Sequence, residues 1–136
     1  SIFKYFNLNE DLVRLFHLPC VFLIILIFYN CLLIKFEFLN KKIIYLVSFI
    51  LILSPTVRSL AIWTDSHLYG ILFFLISVYF FLKFKKCDKN KKIFYALLNV
   101  IFLAISCYVR PSFSMFAFYF TWFFFKEFKF SNNFFL

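Results

Sequence analysis

Five apolar runs lie at positions 18–36, 43–57, 65–82, 93–109 and 112–125. Short charged or polar clusters separate them, and a sixth run opens at Phe134. Within each run the apolar residues are continuous and do not alternate with a period of two, which favours helix over strand. Crossing about 30 Å of hydrocarbon takes roughly 17–25 helical residues, and only helices and closed barrels satisfy their backbone groups in lipid. The first, third and fourth runs are long enough. The second and fifth are short and must borrow neighbouring residues or sit at an angle. The pattern predicts an all-α, multi-pass transmembrane bundle of about five spans, with residues 1–136 forming one membrane region and no soluble domain. No internal repeat or Gly/Ser linker interrupts it.

The charged clusters assign sides. Lys35, Lys41 and Lys42 fall between the first two spans, and Lys83, Lys85, Lys86, Lys89, Lys91 and Lys92 between the third and fourth. Lys126 and Lys129 follow the fifth. The intervening turns hold one basic residue each, Arg58 and Arg110. Short Lys-rich loops stay in the cytoplasm, so Arg58, Asp65, His67, Arg110 and the N-terminal stretch are expected outside. The net charge of +9 is then a record of topology. Basic residues interleaved with spans do not form the continuous patch that a nucleic-acid partner requires, and weak attraction to anionic lipid heads is a by-product.

Composition supports this reading. The chain is 65% hydrophobic and 15% charged, with a mean hydropathy of +0.92. Ordinary soluble domains are roughly 45–50% apolar and about a quarter charged. A globule of this size could not bury that excess, which excludes a soluble enzyme, a disordered tail and a disulfide-stapled secreted domain. The excess of Phe, Ile, Lys and Asn over Gly, Ala and Pro resembles the output of an AT-rich genome. Many of the 26 Phe are therefore expected to be interchangeable lipid-facing residues. An opening on Ser1 and an ending on a fresh apolar run lead us to expect an internal fragment of a longer protein, inactive by itself. The four cysteines match no zinc or redox spacing. Cys20 and Cys107 fall near the outer face, where a disulfide is conceivable, but buried free thiols are the expectation.

Three polar constellations have no topological reason to be present, and all are placed on the outer face. The first is LSPTVRSLAIWTDSH, from Leu53 to His67. Pro55 should end or kink the second span. Were the segment from Arg58 to Asp65 helical, the two charges would lie about 10 Å apart on one face, suited to flanking a polar ligand. The alternative is that Arg58 snorkels to lipid phosphate while Asp65 caps the third span. The second is Tyr108-Val109-Arg110-Pro111-Ser112, where Pro111 suits the first position of the fifth span. Arg110 there either complements the dipole of the fourth span or clamps a phosphate. The third, Glu10 to Pro19, reads as a solvated helix start with Arg14 at the interface. His17 and His67 have no ligand partners at metal spacing, and no metal site is expected. With one glycine there is no phosphate-cradling loop, and no nucleophile–His–acid set is spaced for triad chemistry.

These segments resemble the C-type (GT-C) glycosyltransferase superfamily, which includes protein O-mannosyltransferases and lipid A aminoarabinose transferases. The likeness rests on LSPTVRSLAIWTDSHLYGILFFLISVYFFLKFKK, the Lys-rich loop after it, and FLAISCYVRPSF, and it extends over residues 11–115 through LVRLFHLP. Pro55, Thr64, Asp65, Tyr79, Lys83 and Arg110 occupy the discriminating positions. The resemblance implies a transferase on the outer face of a membrane, by expectation a bacterial cytoplasmic membrane. Such an enzyme moves a sugar from a polyprenyl-phosphate carrier to a glycan, lipid or protein acceptor. It implies for Asp65 a role in orienting the acceptor or donor, or in supporting a divalent metal in those members that use one, and a lipid-phosphate role for Arg110 and Arg58. The family's main catalytic acid lies in an outer loop preceding the part matched here, so neither Glu10 nor Asp11 is assigned to it. The rival expectations are a transporter or flippase portion, which calls for ionisable mid-membrane residues and Gly/Pro-broken helices, and a non-catalytic membrane scaffold.

Overall fold

A computed structural model of the chain describes residues 10–62, 67–87 and 89–128, and these are all-α with no strand among them. The helices are α1 (Glu10–Lys35), α2 (Lys41–Leu53), α3 (Pro55–Ile62), α4 (His67–Lys86), α5 (Lys89–Val109) and α6 (Ser114–Phe128). A single 3-10 turn, Pro111–Phe113, links the last two. Three segments are long and apolar enough to cross a membrane: His17–Lys35, His67–Lys86 and Lys91–Val109. They correspond to the first, third and fourth apolar runs.

The other two runs depart from the simple span pattern, in each case at a proline. The second run does not continue as one helix to residue 57. Pro55 disfavours helical geometry at the residue before it, so Ser54 adopts φ −62° and ψ 123° and its N–H bonds back to Leu51 O at 3.2 Å. Pro55 then serves as the first residue of α3, a position that does not need its missing N–H. The 13 residues of α2 extend about 20 Å at 1.5 Å per residue, shorter than a hydrocarbon core. At the fifth run Pro111 opens a 3-10 turn rather than an α-helix, and α6 begins at Ser114 with 15 residues, about 22 Å long. At the other end of α2, Asn40 caps the helix by accepting from Lys42 N at 3.2 Å, a bond typical of Asn at this position.

Helix α4 is the hub. It runs antiparallel to α5 and parallel to α1 and α6, as its contacts show. Ser77 meets Asn99 and Gly70 meets Ser106 across α4 and α5. On the α1 side, Ile24 clusters with Leu68 and Leu72. On the α6 side, Phe81 packs on Phe120 and Phe84 on Phe124. Helix α2 returns antiparallel along α1, where Tyr29 meets Tyr45 edge-on at 6.2 Å between ring centroids.

The α4–α5 seam combines stacked rings, Phe73 and Phe80 with Phe102, with a row of small and polar residues. Gly70 and Ser77 are seven residues apart on α4, as are Asn99 and Ser106 on α5, so each pair occupies one helix face. All four are buried. Asn99 Nδ2 donates to Ser77 O and Ser77 Oγ, both at 2.8 Å, while Ser77 Oγ donates to Asn99 O at 3.1 Å. Ser106 Oγ donates to Gly70 O at 2.9 Å. Between apolar helices in lipid there is no hydrophobic drive to associate, so close packing and such bonds hold them together. The third interface is aromatic. Phe81 and Phe84 are buried, and Phe81 touches Phe120, Phe123 and Phe124 in tilted or edge-on geometry. These phenylalanines build the α4–α6 contact and are not interchangeable, whereas Phe22 and Phe118 are exposed.

The resulting bundle has two chemically distinct ends. Lys35, Glu37, Lys83, Lys86, Lys92 and Glu127 gather at one, where Lys86 pairs with Glu37 and Lys92 with Glu127. Arg58, His67, Arg110 and the buried His17 lie at the other. All four cysteines are free thiols, so Cys20 and Cys107 form no disulfide.

Two outcomes follow from these contacts. Asn99→Ala should lower resistance to SDS unfolding by about 1 kcal/mol, the scale of interhelical side-chain bonds in membranes; an unchanged unfolding midpoint would show that the seam does not depend on this bond. The hydrogen bond and the charge of Lys92 both hold the Glu127 carboxyl below its ordinary range. A depressed folded pKa contributes stability that is present above the unfolded value and is lost as pH falls through the folded one. An acid titration of the α5–α6 contact, followed by cross-linking between the two helices, should therefore show loosening as the pH falls below the ordinary carboxylate range. Glu127→Gln should remove that acid-dependent component.

Candidate functional site

The arginine end is built by chain breaks. Val109 closes α5, and Pro111 holds the residue before it out of the helical region, leaving Arg110 extended at φ −142° and ψ 102°. Its backbone is still tied in at both ends. Arg110 N–H donates to Ser106 O at 2.8 Å, and Arg110 O accepts from Phe113 N at 3.1 Å. The side chain is half-buried, with its guanidinium carbon 6.0 Å from the Phe113 ring centroid, at the outer limit for a cation–π contact.

Gly70 sets the distance of approach. A Cβ placed there would meet Arg110 Cβ at 3.4 Å, Phe113 Cε2 at 3.5 Å and Val109 Cγ1 at 3.5 Å. A small residue at position 70 thus lets the Arg110 turn rest on the first turns of α4, where a longer side chain would not fit. Phe113 in turn stacks on Phe74 with ring centroids 4.7 Å apart and planes 9° from parallel. Gly70, Ser106 and Phe113 are positioning residues for Arg110 that sequence reasoning did not single out. One available signal was that Gly70 is the chain's single glycine.

Arg58 lies on a separate element, α3. Its N–H donates to Ser54 O at 3.1 Å, forming the first turn after the Pro55 break, and its side chain is exposed. The two arginines therefore share an end of the bundle, but among the described residues no hydrogen bond or ion pair joins them, and neither has a carboxylate partner. Asp65, with Thr64 and Trp63, lies outside the described residues, two positions before the start of α4. Nearby, His17 is buried edge-on against Tyr69, with ring centroids 5.2 Å apart. Among the described residues no group of three or more His, Cys, Asp or Glu could hold a metal ion.

Tyr79 and Lys83 are one helical turn apart at the lysine end of α4. Lys83 Nζ sits 4.8 Å from the Tyr79 ring centroid and 5.8 Å from that of Tyr95 on α5. This pair belongs to the opposite end from the arginines and contributes nothing directly to a site there.

No family model, curated protein or solved structure matches the chain. Any functional reading must therefore come from its own residues. What the arginine end offers chemically is fixed cationic charge. Half-buried Arg110 is braced by backbone bonds and a stacked ring, with exposed Arg58 on a neighbouring element. Planar guanidinium groups engage phosphate oxygens in pairs of parallel bonds.

The packing at Gly70 makes a graded test. Gly70→Ala meets only ordinary van der Waals distances and should leave SDS resistance unchanged or slightly raised. Gly70→Leu must displace Val109, Arg110 or Phe113 and should cost about 1–3 kcal/mol, as overpacking does. Equal behaviour of the two variants in an SDS unfolding titration would show that the Arg110 turn does not rest on α4.

Proposed function

We propose that the chain forms part of a membrane glycosyltransferase of the C type, acting with a polyprenyl-phosphate-linked sugar at the arginine end. The observation that carries this reading is the segregation of charge. Arg58 and Arg110 lie together at one end of the bundle, at chain breaks made by Pro55 and Pro111, while the lysines gather at the other. Under the rule that Lys-rich loops stay in the cytoplasm, the arginine end faces outward. There the phosphate of a membrane-anchored carrier would meet it at the interface.

In this reading the chain is an integral membrane protein with five crossings. Helices α1, α4 and α5 cross unaided. The broken pair α2–α3 makes the second crossing, and α6 with its flanking residues makes the fifth. The chemistry follows from the bonds exchanged. An acceptor hydroxyl or amine attacks the anomeric carbon, the bond from that carbon to the phosphate oxygen breaks, and the phosphate leaves with its negative charge. Arg110, assisted by Arg58, stabilises that departing charge. A carboxylate must accept the acceptor's proton. Asp65 is proposed to orient the reacting groups, and no residue of this chain is assigned as the proton acceptor. Among the described residues no group of three or more His, Cys, Asp or Glu could hold a metal ion.

Arg110→Ala and Asp65→Asn, each introduced into the protein in its native membrane, should abolish sugar transfer from a polyprenyl-phosphate donor. Insertion, measured by protease protection of the lysine loops, should be unchanged. Wild-type transfer in both variants would return Arg110 to a helix-end role and Asp65 to a capping one.

A further inference from the structure

A cleft of about 700 Å³ opens between α1, α4 and α6, within the roughly 300–1,000 Å³ typical of small-molecule sites. Its walls include Phe74 and Phe81 from α4 with Met115 and Phe120 from α6. Among the described residues, the charged ones lining it are Lys35 on α1 and Lys85 on α4, and both belong to the lysine end. Lys85 Nζ is held over two rings, 4.3 Å from the Phe123 centroid and 5.0 Å from that of Phe81.

We propose that this cleft binds one anionic glycerophospholipid, with an acyl chain along the α4–α6 wall and its phosphate at Lys35 and Lys85. The dimensions and the charge both select this occupant. From Phe74 to Lys85 the cleft follows α4 for about 16 Å at 1.5 Å per residue, close to half of a hydrocarbon core about 30 Å thick. One leaflet's lipid therefore has its head at the lysines and its chain end near the bilayer centre. Apolar and aromatic walls suit the acyl chain, and basic pockets between helices recognise acidic head groups. The charged mouth lies at the end opposite Arg58 and Arg110, so this is not the proposed donor site. The inference rests on placement in a membrane and is independent of glycosyl transfer.

Native mass spectrometry of the detergent-purified protein, supplied with phosphatidylglycerol or phosphatidylcholine of matched chains, tests the head-group contact. Phosphatidylglycerol should be retained at least fivefold better, and the double substitution Lys35→Gln with Lys85→Gln should remove that preference. Lys41→Gln with Lys42→Gln, at the same end but outside the cleft, should preserve it. Inorganic phosphate at millimolar concentration should not displace the lipid. Equal retention of the two lipids, loss of preference in the control pair, or displacement by phosphate alone would overturn the proposal. Independently of any variant, phosphatidylglycerol carrying a diazirine at its chain end should label the wild-type protein in vesicles at the Phe74–Met115 level. Labelling elsewhere, or none because another segment fills the cleft, would likewise overturn it.

Discussion

The close approach of α4 and α5 is the constraint on which the rest depends. Two apolar helices in lipid gain nothing from hiding oily surface from each other, so their association needs small residues for contact and polar groups for specific bonds. Gly70 and Ser77 supply this on α4, and Asn99 and Ser106 on α5, in one antiparallel register. A slip of one residue would break both the Ser77–Asn99 exchange and the Ser106–Gly70 bond. The register therefore also fixes where α5 ends relative to α4, and with it the height of the Arg110 turn.

From that seam the two ends acquire different characters. At the arginine end, prolines interrupt the helices, and the residue before each proline is extended while its backbone stays hydrogen-bonded. Arg110 is braced by Ser106, Phe113 and the bare face of Gly70, so its charge is carried on a packed turn and not on a loose loop. At the lysine end, long flexible cations extend over aromatic rings and toward Glu37 and Glu127. Packing and charge thus divide the molecule into a proline-broken end that carries arginines and an end that carries lysines.

The aromatic interface between α4 and α6 shows why composition alone misleads. A phenylalanine-rich helix looks uniformly lipophilic along the chain, yet Phe81 and Phe84 are buried against rings of α6 while Phe22 and Phe118 are exposed. Offset and edge-on ring contacts carry geometric preference beyond their area. The partner of each ring depends on helix rotation, which a run without polar marks does not encode.

By itself the sequence determined that the chain is helical and which three segments are long and apolar enough to cross a membrane. It also located the breaks at Pro55 and Pro111, because run length, charge clusters and proline act locally. It singled out Arg58 and Arg110 as polar residues without a topological purpose. Tertiary structure alone decided that Ser77, Asn99 and Ser106 bind helices together. It likewise decided that Gly70 makes room for Arg110 and that a lysine-mouthed cleft lies between α1, α4 and α6. Each of those depends on what a neighbouring helix presents at the same height, and that information is distributed over residues far apart in the chain.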